Sequence, residues 1–257
     1  MRSTQEAINE YIESHLPTFH QKRLESLEGL KLDRVLARKN PYLFKAKHLE
    51  TAGDLVKQLL DAHLSSQEET TFGDFLEALA IHVCAQAFDG KKSTTEGIDL
   101  EFSRDGGRYI VSIKSGPNWG NSAQIKKMRD HFRQARRIAR QPLIAINGCC
   151  YGRDNAPEKG DYRKLCGQAF WSLISGNDAM YQDIVEPLGN RAKARNEEFA
   201  HEYAKVVNRF TREFAERFCR EDGVIDWTAI VAFNSATTKP TVRTTQPAAK
   251  KAAAKKG

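Results

Sequence analysis

Residues 94–115 read TTEGIDLEFSRDGGRYIVSIKS, and the pattern inside them decides the fold. Apolar and polar residues alternate on both sides of a glycine-containing turn: Ile98, Leu100 and Phe102 before it, Tyr109, Val111 and Ile113 after it. That predicts a β-hairpin. With the turn at Asp105-Gly106 or Gly106-Gly107, antiparallel pairing sets odd residues of the first strand beside even residues of the second. Asp99 and Glu101 then share a face with Ser112 and Lys114, backed by a fully apolar opposite face. The same pattern also suits a hairpin with one merely solvated face, so the flanking elements have to decide between the two.

Upstream, residues 72–88 are predicted as a helix with Phe72, Phe75, Leu76, Leu79, Val83 and Ala87 on one side and a narrow polar face at Asp74, His82 and Gln86. Glu77 lies off that polar face, beside Ala80, Ile81 and Cys84. A carboxylate on an apolar flank is costly unless it is paired, protonated or bound to metal. Downstream, the loop GPNWGNSAQ leads into a helix from about Ser122 to Gln141, with a core stripe of Ile125, Met128, Phe132, Ala135, Ile138 and Ala139. Pro142 stops it, and PLIAIN (142–147) reads as a buried strand. The centre of the chain is therefore predicted as a mixed sheet with a crossover helix, flanked by helices.

On either side the pattern is mainly helical. Helices are expected over 3–15, with Pro17 just past the end, over 19–27, and over 51–64, the last ended by the polar run SSQEETT. The leucines at 30, 32 and 36 fit strand or helix. CCYGRDNAPEKGDYRK (149–164) reads as loop, followed by helices at 165–175, 178–185 and 190–219; DWTAIVAFN (226–234) is a last apolar element, read as a strand. Residues 1–234 are thus expected to form a single domain: a helical region over 1–70, a core over 71–150 and a helical region over 151–234. Residues 235–257, rich in Thr, Pro, Ala and Lys, are expected to be a disordered basic tail.

Charge is localised. The chain of 257 residues carries a net +7, yet Lys239, Arg243, Lys250, Lys251, Lys255 and Lys256 lie in the tail with no acid, which leaves only +1 for residues 1–238. The second concentration is the helix after the hairpin, where Lys126, Lys127, Arg129, Arg133, Arg136, Arg137 and Arg140 face Asp130 alone. Five cysteines without CxxC spacing indicate neither a disulfide framework nor a zinc site. The sequence has no signal-peptide-like apolar region and no run long enough to span a membrane, so a soluble, cytoplasmic protein is expected.

These residue types point to metal-assisted phosphodiester hydrolysis, which needs oxygen ligands for a divalent ion and a cation near the developing negative charge. Asp99 and the backbone carbonyl of Ile113 are candidate ligands, Lys114 the candidate cation, and Glu77 the acid that would complete the ligand set from the preceding helix. A basic helix would track a phosphate backbone; candidate DNA contacts are Asn118 and Asn121 in the loop, Lys126, Lys127, Arg129 and Arg133 on the helix, and Arg153 in the loop beyond.

GIDLEF, the hairpin, VSIKSG and the flanking helices resemble the PD-(D/E)XK nuclease core, the fold of many type II restriction endonucleases, over roughly residues 70–150. The longer string running from IDLEF to the Cys-Cys-Tyr-Gly-Arg loop is similar to PmeII-like restriction enzymes. The resemblance implies an α/β fold with an αβββαβ core, with the motif's first acid at Asp99, its lysine at Lys114 and a helix acid at Glu77. One position departs: where the pattern has Asp or Glu, this chain has Ser112, which is no substitute for a carboxylate ligand. The missing acid is then Glu77, Glu101 or, third in order, Asp130. The function implied by the resemblance is that of a Mg²⁺-dependent type II restriction endonuclease acting on double-stranded DNA as a homodimer, with a cognate DNA methyltransferase in the same system. A structure-selective, resolvase-like nuclease and a DNA-binding module with a decayed site remain as alternatives.

Overall fold

The computed structural model describes residues 4–190 and 192–237. It begins with a long helix α1 (Thr4–Glu28), two short helices α2 (Leu32–Arg38) and α3 (Pro41–Ala46), and the 37-residue helix α4 (Ala52–Phe88). Strands β1 (Lys91–Lys92), β2 (Leu100–Arg104) and β3 (Gly107–Lys114) follow, then α5 (Ser122–Ile138), β4 (Leu143–Cys149) and β5 (Arg163–Cys166). The remainder is helical: α6 (Gln168–Ser175), α7 (Met180–Asp183), α8 (Val185–Gly189), α9 (Ala192–Phe218) and α10 (Trp227–Ser235). This is the expected mixed α/β architecture, with the order αβββαβ running from α4 to β4. Among the described residues no helix is long and apolar enough to cross a membrane. The tail expected to be disordered lies, from Thr238 on, outside the described residues.

The five strands form one sheet in the order β1-β2-β3-β4-β5. The β2–β3 turn is Asp105-Gly106, whose φ angles of 50° and 75° are the left-handed pair that a two-residue hairpin requires. It fixes the register Leu100↔Val111 and Glu101↔Ile110, so odd residues of β2 do sit beside even residues of β3. β4 and β5 add in parallel, through Ser112↔Asn147 and Cys149↔Cys166. The sequence reading missed β5: its four residues RKLC sit between turn-rich and helical patterns and show no alternation of their own.

The chain packs as two units, one built from residues up to Lys22 with Glu68–Asn196, the other from Arg23–Gln67 with residues from Glu197 on. In the first, one face of the sheet buries Leu100, Phe102, Val111, Ile113 and Ile146 against Leu76, Leu79 and Val83 of α4, Ile8 and Ile12 of α1, and Phe170 and Trp171 of α6. On the other face Ile110 and Ala145 pack on Met128, Phe132 and Ala135 of α5. The polar side of the hairpin is therefore covered by a helix rather than merely solvated. Ile98 joins this second cluster instead of the first, because it sits in the turn before β2, with its N–H on the Thr95 carbonyl, outside the strand's alternation. In the second unit Val206, Phe210, Phe214 and Phe218 of α9 pack on Leu55, Leu59 and Leu60 of α4 and on Leu32, Val35 and Leu36 of α2.

Three helix boundaries differ from the sequence reading for physical reasons. Pro17 does not end α1. An interior proline costs about 3 kcal/mol, but Ile8, Ile12, Leu16 and Leu27 on either side of it are all buried, at about 1.5–3 kcal/mol each. SSQEETT does not end a helix either; it contains no Gly or Pro, and α4 runs straight through it. Residues 226–234 form helix α10 rather than a strand, because the Asp226 carboxylate accepts the Ala229 N–H at 2.9 Å and caps it. Ile138, read as core, closes α5 at 73% exposure.

Gly148 marks a close approach between β4 and α6. It is buried in β4, and a Cβ placed there would run into the Phe170 ring of α6. Gly148→Ala is expected to destabilise the protein by about 1–3 kcal/mol, read by urea unfolding, with Phe170→Leu restoring part of the loss in the double variant.

Candidate active site

Asp99 enters the sheet one residue ahead of β2, with its N–H on the Val111 carbonyl at 2.8 Å. Its Oδ2 accepts the Ile113 N–H at 2.6 Å and lies 3.5 Å from the Ser112 hydroxyl and 3.6 Å from Lys114 Nζ. Lys114 Nζ also donates to the Ile113 carbonyl at 2.6 Å, so the oxygen read as a metal ligand is engaged by the site's own ammonium. The hairpin thus brings Asp99, Ser112, Ile113 and Lys114 together, as period-2 logic requires.

Glu77, on α4, lies within electrostatic reach of this cluster. Burial raises its pKa, and the Asp99 carboxylate raises it further, opposed by Lys92 and Lys114; Lys92 Nζ lies 3.7 Å from Glu77 Oε1. Beneath them Cys150 is buried, and its thiol is pushed up to about 12, by burial first and by the Glu77 carboxylate second. Glu101 is differently placed. One oxygen accepts the Ser93 hydroxyl and the other an Arg108 N–H at 3.2 Å, so both are committed, one to the residue that follows β1 and one to β3. Asp130 pairs with Arg133 one turn along α5, at 3.2 Å.

An open groove of about 550 Å³ runs beside Asp99, Ser112 and Lys114, walled by Trp119, Lys127 and His131. Trp119 was not picked out by the sequence reading. Its ring centroid lies 5.4 Å from Lys114 Nζ, and its Nε1–H donates to Asn147 Oδ1 at 3.0 Å. Asn147 is itself fully buried and donates to the Ser112 carbonyl at 3.2 Å. The only local hint was a tryptophan inside a Gly, Pro and Asn-rich loop; the polar partner is 28 residues away in β4. His131 lies close over Gly97, whose φ of 74° and missing Cβ make room for the imidazole, and His131 Nδ1 bonds the Glu96 carbonyl at 2.6 Å.

The cations of α5 divide into two groups. Arg129 bonds both oxygens of Asp161 at 3.1 Å, Arg133 reaches Asp161 at 3.2 Å, and Arg136 donates to the Leu143 and Asp161 carbonyls. These three tie α5 to the β4–β5 connection. Lys126 and Lys127 are exposed, and Lys127 lines the groove. Asn121 caps α5 in a capping box with Gln124, Asn118 is exposed in the loop before it, and Arg153 is exposed at the rim of a second cavity of about 620 Å³.

Among the described residues no three His, Cys, Asp or Glu side chains converge as a ligand cluster. The donors at hand are the Asp99 and Glu77 carboxylates and the Ile113 carbonyl. An all-oxygen set of this size suits a hard divalent cation that retains several waters, and such an ion would offset what raises the Glu77 pKa, its burial first and the Asp99 charge second.

Because its pKa is raised, the folded chain holds the Glu77 proton more tightly than the unfolded chain does. Stability is therefore lost as pH rises from the ordinary glutamate range through the raised value. Glu77→Gln is expected to raise Tm at pH 8 without divalent ions, and the gain to vanish as pH falls below about 4.5, in thermal melts across pH.

A family model described as "Type II restriction endonuclease EcoO109I" matches residues 6–196, a span that contains the whole sheet and both helices flanking the hairpin. No curated protein matches the chain. The PmeII-like similarity stays a resemblance of the sequence string. With well over half of its length matched, the chain belongs to the type II restriction endonuclease family of EcoO109I, a family of DNA-cleaving hydrolases.

Proposed function

We propose that this protein is a Mg²⁺-dependent type II restriction endonuclease that cuts both strands of double-stranded DNA at a specific sequence, with Asp99, Glu77 and Lys114 as its working residues. The observation that carries the reading is the Asp99–Lys114 pair at the end of β3, with Glu77 of α4 within electrostatic reach of both, in a chain of restriction endonuclease family. Asp99, Glu77 and the Ile113 carbonyl would hold the ion. When bound, the ion supplies positive charge at the scissile phosphate and makes water a better nucleophile near neutral pH.

The chain's own groups supply the rest. The Ile113 N–H and the Ser112 hydroxyl hold Asp99 Oδ2 in place, so the carboxylate is oriented before any ligand arrives. Lys114 brings an ammonium to where negative charge grows during attack on phosphorus. Ser112 donates a hydrogen bond where the family pattern has a carboxylate, and Glu77 stands in for that acid. Glu77 is preferred over Glu101 because both Glu101 oxygens are already bonded, to Ser93 and Arg108. Lys126 and Lys127 contact the phosphate backbone, with Asn118 and Arg153 as further contacts. Arg129 and Arg133 act chiefly through Asp161. A homodimer is the simplest arrangement for cutting both strands of a symmetric site, and a cognate DNA methyltransferase in the cytoplasm would protect the host's own sites.

Mg²⁺-dependent digestion of unmethylated plasmid tests this: discrete bands are expected, whereas cutting confined to branched substrates would identify a structure-selective nuclease. Asp99→Ala and Lys114→Ala are expected to abolish cleavage while DNA binding persists, and normal cleavage by either variant would refute its role. Of the single alanine variants at Glu77 and Glu101, the Glu77 variant is expected to lose Mg²⁺-dependent activity and the Glu101 variant to keep it. Removing both lysines in Lys126→Gln/Lys127→Gln takes four phosphate contacts from a dimer and is expected to reduce the slope of log affinity against log salt by about 3.6; an unchanged slope rules them out as phosphate contacts.

A further inference from the structure

Lys114 has four rotatable side-chain bonds and is partly exposed, so something has to decide where its ammonium rests. Two of its neighbours, the Ile113 carbonyl at 2.6 Å and Asp99 Oδ2 at 3.6 Å, are the oxygens that a divalent ion would take. An ammonium and a divalent cation cannot use the same lone pairs. The third neighbour is the π face of Trp119, with its centroid 5.4 Å from Nζ, which attracts a cation and offers a divalent ion nothing comparable.

The ring is held in that position. Its Nε1–H is bonded to Asn147, which is 1% exposed and is anchored in turn to the Ser112 carbonyl of the neighbouring strand. The loop that carries it is tied down as well. Gly116 packs against the Tyr151 ring, Pro117 packs over Gly152, and the Pro117 carbonyl accepts Lys164 Nζ at 2.9 Å while Asp154 holds that lysine at 3.4 Å. A buried asparagine is a costly way to seat a ring that only fills space, since the Trp119 pocket already borders an apolar cluster.

We propose that Trp119 is a positioning residue for Lys114, its ring set by Asn147 so that the ammonium stays at the scissile phosphate when a metal claims Asp99 and Ile113. This rests on Lys114 being a working residue of the site, as assigned above. Trp119→Leu is expected to lower kcat on plasmid DNA about two- to fivefold, the rate equivalent of a partly exposed cation–π contact, with KM and circular dichroism unchanged. Trp119→Phe, which keeps a π face but not the bond to Asn147, falls between Trp119→Leu and wild type. A wild-type kcat in Trp119→Leu, or a Phe variant as slow as the Leu variant, overturns the proposal.

A second measurement reads no cleavage. The chain has three tryptophans, so the Trp119 emission is obtained by subtracting the spectrum of the Trp119→Phe protein, with and without Ca²⁺. Lys114→Met is expected to change that emission and to abolish its response to Ca²⁺, and Asn147→Ala to change it also. A Trp119 emission that is the same in wild type and K114M, with the same Ca²⁺ response, overturns the coupling even in a protein that cuts DNA. Should Lys114→Ala cleave normally, the nuclease role of Lys114 falls on its own test while the emission result still decides the coupling.

Discussion

The register of the β2–β3 hairpin is the constraint on which the rest of the site depends. A two-residue turn with positive φ at Asp105 and Gly106 leaves one pairing, Leu100 with Val111. Side chains in a strand alternate with a period of two, so a slip of one residue would exchange faces. Val111 and Ile113 would then turn toward the groove, and Ser112 and Lys114 toward the core of α1, α4 and α6. Burial on both sides prevents that: Val111 and Ile113 on one face and Ile110 on the other are each under 5% exposed. Asp99 gains its two donors only in this register, because the Ile113 N–H and Ser112 hydroxyl come from residues opposite and just beyond it.

How legible this was in the sequence depended on how local the determining interaction is. Alternation and a Gly turn are local, so the hairpin, the face shared by Asp99, Ser112 and Lys114, and the crossover through α5 to β4 could all be read. Glu77 was legible for a different reason: a carboxylate among apolar helix neighbours is anomalous on its own, and the structure brings it within electrostatic reach of Asp99. Where tertiary burial overrides a local rule, the reading failed. Pro17 is a strong stop signal, yet α1 continues because its apolar residues are buried on both sides. β5 is held by its pairing with β4 rather than by any pattern of its own. Trp119 and Asn147 form a pair across 28 residues, and neither residue type announces the other.

Charge composition is a poorer guide than charge partnership. The sequence shows seven cations on one helix, and a solvated face or a DNA track would have the same composition. In the fold a single carboxylate, Asp161, takes the Arg129 and Arg133 side chains, and backbone carbonyls take Arg136. Arginine suits that task, since its planar fork makes several directed bonds at once, while lysine is a hydrated point charge. The division on α5 follows this chemistry: Arg129, Arg133 and Arg136 fasten the helix to β4 and the connection between β4 and β5, and lysines 126 and 127 are left to the solvent side.

Ser112 becomes intelligible in the same terms. Burial and, after it, the Asp99 charge already raise the Glu77 pKa, and Lys92 and Lys114 offset them. Two carboxylates against two ammonium groups leave the site near neutrality before any ion binds. A third acid at position 112, 3% exposed and beside Asp99, would have to be desolvated with no cation of its own. A serine donates to Asp99 instead. With Glu77 as the proposed second acid, the number of carboxylates stays at two and they lie on separate elements. The spacing between them is then fixed by how α4 packs on the sheet, through Leu76, Leu79 and Val83, rather than by the pleat of one strand.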